Sequence, residues 1–98
     1  MKIALDFDNT YTCDPEAWNT FIRYFVGRGH TVYCVTYRYP SESTGVLATI
    51  GEVIGHDHCF FTAHTAKHPY MIVHGILIDV WIDDMPQLIN LDTREQYP

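Results

Sequence analysis

Two pairs of carboxylates lie close to the two ends of the 98-residue chain. Asp6 and Asp8 directly follow a short apolar run, and Asp83 and Asp84 directly follow another. Carboxylates that crowd together raise one another's pKa unless a cation lies among them. Mg²⁺ prefers oxygen ligands and commonly takes one or two carboxylates together with a substrate phosphate. The two pairs therefore predict a divalent-cation site.

The same residue types would suit phosphoryl transfer. A carboxylate beside the cation can attack phosphorus in line, and a second carboxylate two residues away can protonate the leaving oxygen and then activate water. Thr36 ends a β-branched run, and Lys67 precedes a predicted helix. A hydroxyl and an ammonium group at these places would hold the phosphoryl oxygens as their charge redistributes.

Short apolar strands and amphipathic helices must position these residues. Strands are predicted at 3–5, 31–36, 58–62 and 78–82, because each is a short run of apolar and β-branched residues. Three helices are predicted between the strands. The first has Asp14 as its N-cap and ends at Gly27 and Gly29, the second is continuous and ends at Gly55, and the third begins at Pro69. The first of these helices places its apolar residues on one face: Trp18, Phe21, Ile22 and Phe25.

This alternation indicates an α/β fold with a parallel sheet covered on both faces. We expect one domain over residues 1–98, a small three-layer Rossmann-like fold with a sheet of about four strands. Right-handed crossovers would place the carboxyl ends of all strands at one edge, where ligands bind in such sheets.

Four segments of the chain resemble, in order, the four motifs of the haloacid dehalogenase (HAD) superfamily. The run Asp6-Phe7-Asp8-Asn9-Thr10 is similar to the DxDx(T/V) signature of that family, and Val80-Trp81-Ile82-Asp83-Asp84 is similar to its fourth motif. Thr36 and Lys67 occupy the places of the second and third motifs. The resemblance spans residues 1 to about 90.

The resemblance implies a cap-less HAD-like phosphatase that hydrolyses phosphomonoesters with Mg²⁺ through an aspartyl-phosphate. Asp6 would be the nucleophile and Asp8 the general acid and base. Mg²⁺ would be held by Asp6, the main-chain carbonyl of Asp8 and Asp83, with Asp84 mostly in its outer shell. Thr36 and Lys67 would bind the phosphoryl group. The aspartate at position 8 resembles the phosphatase and phosphomutase branches of the family.

The segments between the motifs are too short to hold a cap domain. An open site suits a large substrate, such as a nucleic-acid or protein phosphate, or a small one covered by the second subunit of a homodimer. Three polar residues in or beside the motifs are predicted to bind substrate: Asn9, Thr10 and Arg38. The guanidinium of Arg38 suits phosphate, although a solvated loop position is equally compatible with its place in the sequence.

Composition limits the partners and the compartment. The net charge is −6 with six Lys and Arg, which argues against general nucleic-acid binding but leaves a phosphorylated nucleic-acid end open as a substrate. The sequence contains no run of roughly 18 apolar residues, the length that a membrane-spanning helix needs. The three cysteines, odd in number and without CxxC spacing, predict free thiols in the cytoplasm. The substrate itself is not encoded in any motif.

Other interpretations remain open at this level. Histidines with metal-binding spacing occur at His56, His58, His64 and His68, but no pattern of cysteines or carboxylates completes a zinc site. A non-catalytic module that keeps the fold and the metal is a second function. A phospho-receiver domain is a third, disfavoured because its paired acids would follow the first strand, whereas here the adjacent pair Asp83-Asp84 comes last.

Overall fold

A four-stranded parallel sheet forms the centre of the molecule. The computed structural model describes residues 1–92, so the last part of the single domain predicted over residues 1–98 lies outside the described residues. The strands are β1 (Lys2–Leu5), β2 (Thr31–Thr36), β3 (Cys59–Phe61) and β4 (Val80–Ile82). Their order across the sheet is β3-β2-β1-β4, and every neighbouring pair is parallel. The predicted fold class is therefore confirmed.

Four helices connect the strands: α1 (Pro15–Gly27), α2 (Thr44–Ala48), α3 (Ile50–Ile54) and α4 (Lys67–Val73). Short 3-10 segments lie at Tyr11–Cys13, Pro40–Glu42, His56–His58 and Pro86–Ile89. The longest of the described helices, α1, has 13 residues, and none of them is long and apolar enough to cross a membrane.

The helices cover both faces of the sheet and give three layers. Successive residues of a strand point to opposite faces. On one face, Ile3 and Leu5 of β1 belong to a core cluster with Ile22 of α1, Val46 of α2 and Ile50 of α3. On the other face, the buried residues of the second cluster come from the sheet, from α4 and from the loop before β4: Ala4, Tyr33, Val35, Met71 and Ile78.

Helix α1 has the bounds and the buried face that its sequence predicts. The Asp14 carboxylate accepts a hydrogen bond from the Ala17 N–H (3.2 Å), and Pro15 occupies the first helical turn. Gly29 adopts a φ of +90° just beyond the helix end, a conformation that glycine adopts without strain. The predicted apolar face of α1 packs against the first cluster through Trp18, Phe21, Ile22 and Phe25.

The prediction of one continuous second helix is wrong, because the chain breaks at Thr49 into α2 and α3. Thr49 has φ −116° and ψ −95°, and its hydroxyl donates to the Gly45 carbonyl (2.7 Å). A threonine hydroxyl offers the backbone an alternative to the helical ladder, and the β-branched side chain loses rotamer freedom in a helix. Both short helices still bury an apolar residue, and α3 ends at Gly55 with φ +95°.

Four elements have bounds that differ from the sequence-based prediction by one or two residues. Strand β1 begins at Lys2 instead of residue 3, and β3 is shorter than the predicted 58–62. Strand β4 begins at Val80 instead of Ile78, which is buried but not paired as a strand residue. Helix α4 begins at Lys67, two residues before Pro69. Proline is tolerated in the first turn because its missing N–H would have no helical partner there. The earlier start places Lys67 at the beginning of the helix.

Candidate functional site

The carboxyl edge of the sheet brings together segments that are distant in sequence. Asp6 directly follows β1, and Asp83 directly follows β4. The two strands are neighbours, and the Asp6 N–H continues their pairing by donating to the Ile82 carbonyl (2.9 Å). Thr36 ends β2, which lies on the other side of β1. The strand order therefore places Asp6 in the middle of the edge.

Three carboxylates form a compact cluster at this edge. Asp6, Asp83 and Asp84 each offer one oxygen, and these oxygens all lie within 4.8 Å of one another. Lys67 is 1% exposed, and its Nζ lies 2.8 Å from Asp6 Oδ1 and 2.6 Å from Asp83 Oδ2. Three ionised carboxylates and one ammonium group leave a net charge of −2. An oxygen-rich cluster with two uncompensated charges fits a hard divalent cation such as Mg²⁺.

Burial dominates the electrostatics of Asp6. It raises the pKa of this carboxyl to about 6, although the neighbouring Lys67 acts in the opposite direction. A hydrogen bond with Asp84, which favours the protonated form, and the negative charge of Asp83 add to the increase. One ammonium group is therefore too little positive charge to hold Asp6 fully ionised at mildly acidic pH, and an added cation would favour the ionised form.

Thr10 links two members of the acidic cluster. Its buried hydroxyl lies within hydrogen-bond distance of Asp6 Oδ2 (3.3 Å) and Asp84 Oδ1 (3.2 Å). It also accepts a hydrogen bond from the Asp84 N–H (3.3 Å). The sequence predicts Thr10 as a substrate-binding residue, whereas the structure places its hydroxyl between the two acids. From this place it orients the carboxylates.

The Asp83 side chain has two partners. One oxygen accepts from Lys67, and the other accepts from the Met85 N–H (3.0 Å). The second bond fixes the turn that leads into the 3-10 segment Pro86–Ile89, which is the capping role that aspartate commonly takes after a strand. Asp83 is thereby held in one orientation beside Asp6.

Asp8 lies outside the acidic cluster and pairs with Arg38. The guanidinium donates through Nε and Nη2 to the two Asp8 oxygens, both at 2.9 Å. It also donates to the Glu42 carbonyl (3.1 Å) and lies 4.9 Å from the centre of the Phe7 ring. The hydrogen bonds from Arg38 lower the pKa of Asp8. The involvement of the Asp8 main-chain carbonyl in metal binding stays a prediction.

A cleft of about 100 Å³ opens over the cluster. Seven of its lining residues come from the motifs or their neighbours: Asp6, Asp8, Asn9, Thr36, Lys67, Asp83 and Asp84. Three more were not identified from the sequence: Tyr37, Met85 and Leu88. Each of the three follows a motif residue within five positions. This closeness in sequence is the signal by which they could have been identified as cleft residues. The cleft lining does not include Thr10 or Arg38, although Arg38 is partly exposed beside it.

Two other predicted residues have defined places in or beside this cleft. Thr36 is 1% exposed, and its hydroxyl accepts from the Arg38 N–H (3.3 Å). Asn9 adopts a φ of +60°, and its N–H donates to the Thr12 hydroxyl (3.0 Å). Asparagine tolerates this left-handed conformation better than most residues. It lets the chain turn sharply between β1 and the following 3-10 segment.

Within residues 1–92, Asp6, Asp83 and Asp84 are the one group of at least three histidine, cysteine, aspartate or glutamate side chains whose ligand atoms all lie within 4.8 Å of one another. The three cysteines, Cys13, Cys34 and Cys59, are free thiols.

Comparisons with protein-family models, with curated proteins and with solved structures found no match for this chain. The geometry of the site is therefore the basis for a functional proposal. That geometry combines a cluster of three carboxylates, a buried ammonium group and a further carboxylate, Asp8, around one cleft.

Proposed function

We propose that this chain is a Mg²⁺-dependent phosphomonoesterase of the HAD type, acting through an aspartyl-phosphate on Asp6. One observation carries the proposal: Asp6, Asp83, Asp84 and the buried Lys67 converge from three segments on one cleft at the carboxyl edge of the sheet. A buried lysine and clustered carboxylates are costly to a small domain. Phosphate and metal binding would account for that cost.

In this proposal the bonds to phosphorus change in two steps, first between Asp6 and the substrate and then between Asp6 and water. An Asp6 oxygen forms a bond to phosphorus while the bond from phosphorus to the ester oxygen breaks, and its electron pair remains on the leaving oxygen. Asp8 supplies the proton that the leaving oxygen takes up. Water then attacks the phosphorus of the aspartyl-phosphate and gives a proton to Asp8. The bond between phosphorus and the Asp6 oxygen breaks, which releases phosphate and restores Asp6.

The chain's own residues would hold the phosphoryl group and the metal. The ammonium group of Lys67 and the hydroxyl of Thr36 would bind phosphoryl oxygens as negative charge shifts among them. Asp6, Asp83 and Asp84 would hold Mg²⁺, which when bound would supply the positive charge that the cluster lacks and polarise the phosphoryl group. Thr10 would keep Asp6 and Asp84 oriented throughout the reaction.

Asp8 must leave Arg38 before it can transfer a proton to the leaving oxygen. A guanidinium binds phosphate in the same two-pronged way in which it binds a carboxylate. An arriving phosphate would therefore compete for Arg38 and release Asp8. Arg38 is partly exposed beside the cleft, which supports this exchange of partners.

The Asp8–Arg38 pair also favours a second candidate function, a non-catalytic module that binds metal and phosphate. The two hydrogen bonds lower the pKa of Asp8 and so oppose its protonation. A chain in which Arg38 never released Asp8 would bind a phosphate without hydrolysing it. The three free thiols support a reducing, cytoplasmic location for either function.

The test is hydrolysis of an aryl phosphate by the purified protein, with Mg²⁺ or with EDTA, beside two matched variants. Asp6→Asn should lose all turnover, whereas Asp57→Asn, which makes the same change at an exposed aspartate, should hydrolyse normally. Wild-type turnover by Asp6→Asn would refute the nucleophile. Binding of Mg²⁺ and inorganic phosphate without turnover of any ester would favour the second function.

A further inference from the structure

Two of the three cysteines lie opposite each other in neighbouring strands. Cys34 of β2 and Cys59 of β3 are register partners in a parallel pair. Both face the first core cluster, of which Cys34 is a buried member and against which Cys59 packs. Neighbouring strands lie about 4.8 Å apart, within the range of roughly 4.4–6.8 Å that a disulfide spans between Cα atoms. The backbone positions of these two free thiols therefore permit a disulfide.

The two thiols differ in exposure and in acidity. Cys34 has no exposed surface, whereas Cys59 is half-buried. A hydrogen bond with Cys34 lowers the pKa of Cys59, although burial and the charge of Asp57 act in the opposite direction. The same hydrogen bond, together with burial, raises the pKa of Cys34. Because the thiolate is the reactive form of cysteine, Cys59 is the thiol that an oxidant would attack first, with Cys34 beside it.

This pair of thiols lies one layer below the cleft. Cys34 comes two residues before Thr36 on β2, and it pairs across the sheet with Leu5, the residue before Asp6. Strands β2 and β3 stay paired up to Thr36, whose carbonyl accepts a hydrogen bond from the Thr62 N–H (2.9 Å). A change in the distance between β2 and β3 at the thiols would therefore move Thr36.

A disulfide at this position would draw the two strands together. Side chains of register partners in a parallel pair are separated by about the strand spacing of 4.8 Å, whereas the Cβ atoms of a disulfide lie about 3.8 Å apart. The bond therefore requires an approach of about 1 Å between Cys34 and Cys59. Strain of this kind makes a disulfide easy to reduce, which is a property of regulatory disulfides. In a reducing compartment the pair would stay as thiols until an oxidant appears.

We propose that Cys34 and Cys59 form a reversible disulfide that lowers the activity of the cleft by displacing Thr36, with hydrogen peroxide as the oxidant. The effect on activity rests on the proposed function, in which the Thr36 hydroxyl binds the phosphoryl group. A displacement of about 1 Å in a group that positions the substrate can reduce a reaction rate by about 100-fold.

The oxidation is balanced over two steps. The Cys59 thiolate attacks one oxygen of the peroxide, the O–O bond breaks, and a sulfenic acid forms while hydroxide leaves and takes up a proton to become water. The Cys34 sulfur then bonds to the Cys59 sulfur, the S–O bond breaks, and the hydroxyl group leaves as water with the proton of Cys34. The two thiols lose two electrons in total, and the peroxide is reduced to two molecules of water.

The first test identifies the bond. Trypsin cleaves after lysine and arginine, so the three cysteines fall in separate peptides: 3–23 with Cys13, 29–38 with Cys34 and 39–67 with Cys59. The native protein is treated with peroxide, the remaining thiols are alkylated, and protein that migrates as a monomer on a non-reducing denaturing gel is digested. Mass spectrometry should find peptides 29–38 and 39–67 joined.

A matched variant controls for the third thiol. Cys13→Ser removes an exposed cysteine that lies outside the pair, and it should form the same joined peptides as the wild type. Unreacted thiols at Cys34 and Cys59, a different pairing, or oxidation of Cys59 without a bond to Cys34 would overturn the inference.

The second test measures the effect on activity. After treatment with peroxide, wild-type hydrolysis of the aryl phosphate should fall by about 10- to 100-fold and should return with dithiothreitol. Cys59→Ser, treated in the same way, should keep its own untreated rate because it cannot form the disulfide. Joined peptides with unchanged turnover, or an equal loss of turnover in Cys59→Ser, would overturn the inference.

A structural measurement separates failure of this inference from failure of the proposed function. If the reduced protein hydrolyses no ester, the proposed function fails, and the backbone amide signal of Arg38 is followed by NMR before and after peroxide treatment. This N–H donates to the Thr36 hydroxyl (3.3 Å) and so reports its position. A shift in the wild type and not in Cys59→Ser, reversed by dithiothreitol, would support the displacement of Thr36. An unchanged signal in protein with the joined peptides would overturn it.

Discussion

Lys67 occupies the least expected place for its residue type. Lysine is almost never fully buried unless it is paired, and here it is paired with Asp6 and Asp83 at 2.8 and 2.6 Å. The three charges depend on one another, because each carboxylate would lie uncompensated in the protein interior without the ammonium group. The ion pairs are therefore part of the structure of the cleft before any ligand binds.

Removing this ammonium group should destabilise the metal-free protein strongly. Lys67→Met keeps much of the side-chain volume but leaves Asp6 and Asp83 without their partner, and breaking a buried pair in this way costs about 3–5 kcal/mol. Lys2→Met, at an exposed lysine, should change the free energy of unfolding by less than about 0.5 kcal/mol. Urea unfolding in EDTA measures both variants, and equal effects would contradict the role given to Lys67.

The raised pKa of Asp6 gives a pH dependence of definite sign. Its folded-state pKa of about 6 lies above the ordinary value of 3.8, so the folded protein takes up a proton that the unfolded chain releases between these values. The stability that this proton provides is complete below pH 4 and is lost as the pH rises through 6.

The pH dependence of stability that Asp6 causes can be isolated by comparing wild type with Asp6→Asn, because the asparagine side chain does not titrate. In EDTA, the free energy of unfolding of wild type relative to Asp6→Asn should fall by on the order of 1–3 kcal/mol between pH 4 and pH 7. Urea unfolding at several pH values provides the measurement. A constant difference, or one that rises with pH, would show that burial does not control Asp6.

The residues singled out by type and spacing include seven of the ten that line the cleft, but the sequence does not show how they pair. Asp6 and Asp83 could be placed at one edge because each ends a strand of a parallel sheet. The Asp8–Arg38 pair depends on loop conformations that leave no pattern in the sequence. The positive φ of Ala63 likewise occurs at a residue type that gives no sign of it.

At the scale of elements, prediction succeeded where local signals agreed. Helix α1 combines an N-cap, a proline in its first turn, a one-sided apolar face and a terminal glycine, and its predicted bounds were correct. The segment 44–54 has an apolar face but also a threonine in its middle. Thr49 leaves the helical conformation, with φ −116° and ψ −95°, and divides the segment into two helices, and periodicity alone does not reveal such a local break.

Two glycines at helix ends should respond to alanine in opposite directions. Gly27 ends α1 with open space around the position of an added Cβ, so Gly27→Ala should stabilise the protein by up to about 1 kcal/mol. Gly55 has φ +95°, and an added Cβ would lie 2.9 Å from Asp57 Oδ1. Gly55→Ala should therefore cost about 1–2 kcal/mol. Thermal unfolding of the two variants checks the contrast, and equal shifts would contradict it.

At the scale of the whole molecule, the site joins segments from both ends of the described chain. Asp6 follows β1, the first strand, and Asp83 and Asp84 follow β4, the last. A cation held by all three would connect the segments that follow the first and the last described strand, which are neighbours in the sheet. Such a ligand binds only the folded chain, because the unfolded chain does not bring these acids together.

Mg²⁺ should therefore raise the free energy of unfolding. At a concentration 100 times the dissociation constant, the expected increase is about 2.7 kcal/mol. Asp83→Asn should lose most of this increment, whatever its stability in EDTA, and Asp57→Asn should keep it. The measurement is the difference between unfolding with Mg²⁺ and with EDTA for each protein. An undiminished increment in Asp83→Asn would place the cation elsewhere.

The polarity of β1 has a practical consequence for chemical attachment. The sequence contains two lysines, Lys2 and Lys67, and Lys67 is 1% exposed. Amine-reactive reagents would therefore couple to the exposed side chain of Lys2, at the amino end of β1, whereas the cleft lies beyond its carboxyl end. Immobilisation through Lys2 would orient the molecules with their clefts toward the solution, so that a coated sensor chip would present one uniform face to a ligand.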